Sequence, residues 1–154
     1  MDDILSFEPI WDGWKIGKRL GSGSFGAVYR ATRSDALTGI TQEAAVKHIS
    51  IPHSNEEESG YSTQTLKEYY DQQLNQLVRE INAMVELRGK PNIVAYEEHR
   101  IIPKANGLGY DLFLRMELLT SLTDYLKGKE GLPIRDPNGG PSVVKLGIDI
   151  ARAL

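Results

Sequence analysis

The chain is expected to fold as an α+β domain, and three observations carry that expectation. Runs with apolar or β-branched and aromatic residues at alternate positions, such as Ala27-Val28-Tyr29-Arg30-Ala31-Thr32-Arg33, predict strands. Residues 65–88 place Leu66, Tyr70, Leu74, Leu77, Ile81, Met84 and Leu87 at three-to-four spacing, which draws one stripe on a single long helix. Between two strand-like runs lies the glycine-rich turn Gly21-Ser22-Gly23-Ser24-Phe25-Gly26-Ala27-Val28.

Taken in chain order, residues 1–12 lack the basic start and apolar stretch of a signal peptide and read as an exposed leader into the first strand. The turn that follows has the spacing G-x-G-x-x-G-x-V. Backbone wrapping closely over phosphates needs inward donors and no Cβ in the way, which glycine supplies. An ordinary hairpin turn between strands remains an open reading of the same glycines. The dinucleotide fingerprint shares the spacing but requires a helix after the last glycine, whereas here a strand returns. The phosphate loop G-x-x-x-x-G-K-[ST] fails, because the run from Gly13 to Arg19 is one residue short and ends in arginine.

Ala45-Val46-Lys47 lies in the next strand-like run. Residues two apart share a face of a strand, so Ala45 and Lys47 point the same way. A small residue leaves room for a flat base, and the ammonium two positions on reaches phosphates. A solvated surface lysine is the alternative, and the apolar neighbours Ala44, Ala45, Val46 and Ile49 weigh against it. On the striped helix, Thr65 with Glu68 has the capping-box pattern, and Gly89 followed by Pro91 is a stop signal. Glu80, beside Leu77, Ile81 and Met84, is the candidate carboxylate to hold Lys47, with Glu68 and Glu86 also available.

With these residues in place the chain resembles the N-terminal lobe of a protein kinase of the eukaryotic-like Ser/Thr type. The resemblance implies that Gly21, Gly23 and Gly26 form the glycine-rich loop, and that Lys47 holds the α- and β-phosphates of ATP with Glu80 as its ion-pair partner. It completes the sheet at five antiparallel strands, with Ile101-Ile102 in the fourth, a turn through Pro103 to Gly109, and Leu112 to Met116 in the fifth. Leu20, Val28, Ala45 and Met116 become walls around the base, and the backbone of Glu117 and Leu119 a hinge that bonds the adenine edge. Residues 1–13 then form a leader, 14–119 an ATP-binding lobe, and 120–154 the hinge exit and first short helices of an incomplete second lobe. Those helices are expected over 122–126 and 142–154, the latter striped by Val143, Leu146, Ile150 and Leu154.

Departures from the family pattern are equally informative. Residues 34–42 and 50–62, the second containing Glu56-Glu57-Glu58, read as polar insertions, exposed or mobile. No H-R-D-x-x-x-x-N, D-F-G or A-P-E stretch occurs in the sequence. Those motifs supply the metal ligands and the base of phosphoryl transfer, so no catalytic residue is assigned within this chain and it is expected to be inactive alone. Magnesium is expected only with the missing second lobe. The alternative function is a non-catalytic, kinase-like nucleotide-binding or scaffold module. The exposed stripe of residues 142–154 is expected to promote self-association.

Composition fits a soluble, cytoplasmic domain, with a net charge of −3 that gives no basic footprint for nucleic acid. No apolar run is long enough to span a bilayer. Without cysteine there is no disulfide framework or thiolate metal site, and His48, His53 and His99 form no metal set by spacing. The implied partners are ATP and the protein substrate of the parent kinase.

Overall fold

The alternating runs become five strands in a computed structural model, which describes residues 3–23, 26–53 and 60–120. The strands are β1 (Lys15–Gly23), β2 (Gly26–Ser34), β3 (Thr41–Ile51), β4 (Tyr96–Pro103) and β5 (Tyr110–Glu117), and a long helix, α1 (Thr63–Glu86), joins β3 to β4. All neighbours pair antiparallel, in the order β1-β2-β3-β5-β4. Among the described residues the fold class is therefore α+β: a five-stranded antiparallel sheet with one α-helix.

Local chemistry sets the turns. Between β2 and β3, the Asp35 carboxylate accepts hydrogen bonds from the Thr38 and Leu37 amides, each at 2.8 Å. These bonds, the Thr38 amide first, hold the Asp35 carboxyl below its ordinary range. Of the insertion expected over 34–42, residues 35–40 form an exposed, hydrogen-bonded turn, whereas Ser34 ends β2 and Thr41 and Gln42 begin β3. Between β4 and β5, Lys104 and Gly109 close the hairpin at 3.0 Å, and Asn106 Oδ1 accepts from the Leu108 amide.

Helix α1 begins two residues before the expected start, and its cap differs from the sequence reading. Ser62, extended at φ −71° and ψ 152°, is the N-cap, and its hydroxyl accepts from the Thr65 amide at 3.1 Å. Thr65 therefore occupies the third helical position, because Ser62 satisfies the orphan amide one turn earlier. The stop is as expected: the last turn closes through the Leu87 amide to the Ala83 carbonyl, and Gly89 takes a left-handed φ of +80°.

The sheet buries both faces. On one, Ile49, Leu112, Leu114 and Tyr96 pack with Ile81 of α1, and Leu74, Leu77 and Met84 complete the contact. The helical stripe thus meets the sheet as its spacing predicts. On the other face, Tyr29, Ala31, Ala44, Val46 and Phe113 pack against Ile4, Ile10, Trp11 and Trp14. This corrects the expectation of an exposed leader. A short 3-10 turn (Asp3–Phe7) and the residues after it cover the sheet, with Ile4 and Ile10 1% and 2% exposed. Burying such large apolar side chains outweighs the polarity of the intervening residues.

Among the described residues no helix is long and apolar enough to cross a membrane. The acidic run 56–58, the helices expected over 122–126 and 142–154, and the self-association expected of the latter lie outside the described residues.

Candidate functional site

Register decides which of the candidate residues can act together. Val28 pairs with Lys47 and Lys47 with Leu114, so the three form one cross-sheet row, and Gly21 extends it as the partner of Val28. Arg30, Ala45, Met116 and Tyr96 form the next row on the same face. Val28, Ala45, Lys47 and Met116 therefore share one face of the sheet, in two adjacent rows. Directly opposed side chains lie within contact distance, which makes this a single surface. Ala45 is buried, whereas Val28, Lys47 and Met116 are half-buried, and Met116 packs against the core shared with α1. Leu20 falls at an irregularity between Arg19 and Gly21 and is 48% exposed.

The three glycines separate into two kinds. Gly26 has φ +126°, and a Cβ there would lie 2.0 Å from the His48 carbonyl oxygen. The fold itself requires glycine at that position. Gly21 and Gly23 have no neighbouring atom within 4 Å of an added Cβ. Packing gives no reason for either, so a close approach by something outside the sheet is a role they remain free to fill. Ser24 and Phe25 lie outside the described residues.

Lys47 and Glu80 both line a cavity of about 380 Å³ between β3 and α1, together with Ile49, Ile51, His53, Gln73, Gln76 and Leu77. They do not meet. The ion pairs among the described residues are Arg30 with Glu43, His48 with Asp111, and Arg115 with Glu97 and Glu98. The pairing expected for Glu80 is thus not made here: Glu80 is exposed on α1, and the cavity stands between the helix and the strand. The cavity has no wall from Leu20, Val28, Ala45 or Met116. It lies beside the surface built by the two rows and shares only Lys47 with it.

At the end of β5 the Glu117 amide donates to the Ala95 carbonyl at 3.0 Å, and the Glu117 carboxylate accepts from the Ala95 amide at 2.7 Å. With its amide engaged, Glu117 can offer a ligand its carbonyl oxygen. Leu119 is 61% exposed beyond the strand.

Three groups escaped the sequence reading. Arg115 ion-pairs with Glu97 and Glu98 at 2.9 Å each and stacks over Trp11 and Trp14. His48 is hydrogen-bonded to Asp111 at 2.8 Å and lies parallel to the Phe113 ring at 4.7 Å, on the face opposite Lys47. Tyr110 donates its hydroxyl to Asp71 of α1 at 2.5 Å, which pins the first half of the helix to β5; that bond, with burial, pushes the phenol above its ordinary pKa. Each pairs residues far apart in sequence, so no local periodicity announced it. The acid next to a basic or aromatic partner was visible only as composition.

No protein-family model matches the sequence, and no curated protein matches it.

Proposed function

We propose that the face carrying Val28, Ala45, Lys47 and Met116 binds the base and phosphates of ATP, as the N-terminal lobe of a Ser/Thr protein kinase does. The observation that carries this reading is the register: one row sets the small residue Ala45 beside Met116, and the adjacent row sets the Lys47 ammonium two positions away on the same strand. Ala45 leaves room for a flat ring, Met116 and Val28 flank it, and Lys47 neutralises phosphate charge. Gly21 and Gly23, free of packing demands, let backbone approach the phosphates, while Gly26 shapes the turn. The carbonyl of Glu117 and the backbone of Leu119 hold the adenine edge. Leu20 closes over the base. ATP supplies the γ-phosphate for transfer to a protein hydroxyl; in this chain no residue is assigned to accept the proton or to bind magnesium.

A non-catalytic nucleotide-binding or scaffold module is the second reading, favoured by the unmade pair between Lys47 and Glu80. The test is titration of the full chain with ATP, with and without magnesium, by calorimetry, in wild type and Lys47→Met. Saturable binding that Lys47→Met weakens about ten-fold or more, with an unchanged unfolding temperature, supports the assignment; the loss of one charge-assisted contact is of that order. Equal binding by both proteins, or none by wild type, overturns it. Partner capture that survives Lys47→Met after nucleotide binding is lost favours the scaffold reading.

A further inference from the structure

We propose that Arg115 is a positioning residue that ties the leader, residues 3–14, to the strand end carrying Met116 and Glu117. The argument starts from a fault in the β4–β5 ladder. Tyr96 pairs with Met116 and Glu98 with Arg115, so Glu97 is an extra residue on β4. Such a bulge sets two residues of one strand against one of the other. Both carboxylates thereby reach a single guanidinium: Arg115 Nε donates to Glu97 Oε2 and Nη2 ion-pairs with Glu98 Oε2, each at 2.9 Å.

The planar guanidinium is then fixed in orientation and lies over two indoles, 5.0 Å from the Trp11 ring centre and 4.5 Å from that of Trp14. The Arg115 side chain is only 13% exposed. A desolvated cation above aromatic faces is held more strongly than an exposed one. Lysine cannot reproduce this set, because it has neither the fork nor the flat surface. From the leader side, Arg100 of β4 donates to the Ile10 carbonyl, a second tie between the same segments. Arg115 immediately precedes Met116, and Glu117 follows with its amide held by Ala95. Leader, bulge and hinge backbone are therefore one connected unit, and release of the leader loosens residues 116–117. The consequence for nucleotide affinity rests on the function proposed above; the mechanical link does not.

The test uses the full chain as wild type, Arg115→Lys and Trp11→Leu. Trp11 and Trp14 are the two tryptophans of the sequence, so selectively excited indole emission and its quenching by acrylamide report on the leader alone. Amide hydrogen exchange at Glu117 reports on the hinge backbone, and exchange in the β2–β3 ladder serves as the reference. The expected result is greater quenching in Arg115→Lys and exchange at Glu117 accelerated roughly five-fold or more in both variants, the low end of a typical coupling between sites. Exchange between β2 and β3 should stay unchanged. A loosened leader with unaltered exchange at Glu117 overturns the inference, as does acceleration that is uniform across the sheet, which would mark a merely structural role. Arg115→Lys should also weaken ATP binding several-fold. If wild type binds no ATP, the functional reading fails while the exchange data still decide this one.

Discussion

Replacing Gly26 by alanine tests the central claim about the glycine turn, that its three glycines are there for two different reasons. At φ +126° the backbone of Gly26 is in a region that side-chain-bearing residues rarely enter, and strain of that kind costs about 1–3 kcal/mol. The added Cβ would sit 2.0 Å from the His48 oxygen and 3.1 Å from its carbonyl carbon. Both atoms are backbone, so no rotamer change relieves the clash. Ala27 pairs with His48 across the β2–β3 ladder, and separating the strands there forfeits a hydrogen bond of about 1 kcal/mol. Together these give a loss of about 3 kcal/mol from a total of roughly 5–15. That corresponds to a fall of about 10 °C in unfolding temperature for a domain of this size. Gly21→Ala, with open space around the new Cβ, should change stability by less than about 1 kcal/mol. The assay is urea and thermal unfolding of both variants, followed by circular dichroism, with ATP titration alongside. Gly26→Ala as stable as Gly21→Ala would refute the packing argument, and Gly21→Ala binding ATP as wild type does would count against the phosphate role.

Two other perturbations follow from single contacts. Ser62→Ala removes the N-cap of α1 and should cost about 1 kcal/mol, read as a lower urea midpoint at unchanged slope; Thr65→Ala should cost less, since it removes the hydroxyl contact to Ser62 at 2.8 Å but keeps the capped amide. Tyr110→Phe breaks the bond to Asp71 and should cost about 1 kcal/mol near neutral pH. Because the folded protein raises the Tyr110 pKa, it holds that proton more tightly than the unfolded chain does, so this stabilisation is complete below pH ~10 and declines as pH rises past it. The difference in unfolding free energy between wild type and Tyr110→Phe should therefore shrink above pH ~10, and a gap that widens there would contradict the assignment.

Much of the fold was legible because it is local. The helical stripe from Leu66 to Met84, the stop at Gly89 and the return of a strand after Gly26 each depend on residues within a turn or two of one another. The choice of cap was missed by one turn because serine at 62 and threonine at 65 offer the same hydroxyl, and only the extended backbone of Ser62 decides between them. The site was legible as a set of residues and not as a geometry. Ala45 and Lys47 share a face by parity along one strand, whereas the meeting of Val28 and Met116 with them depends on ladder register. Whether Lys47 touches Glu80 depends further on how closely α1 approaches β3, which the stripe does not fix.

The leader was misread because Ile4, Ile10, Trp11 and Trp14 follow no helical or strand period, and aperiodic segments read as exposed. A different signal for them lay in β3. Ala44-Ala45-Val46 is an uninterrupted apolar run, and all three residues are buried. A strand with one wet face alternates; one without alternation is covered on both sides. The stripe on α1 can cover only the face of Ala45, Ile49 and Ile51. The face of Ala44 and Val46 therefore needs a second cover with large apolar side chains, and the residues ahead of β1 hold two tryptophans and two isoleucines of that kind. Arg115 lies on that second face, next in sequence to Met116 on the first. A sheet buried on both sides thus gives the leader a direct mechanical route to the candidate site, one that an exposed leader would lack.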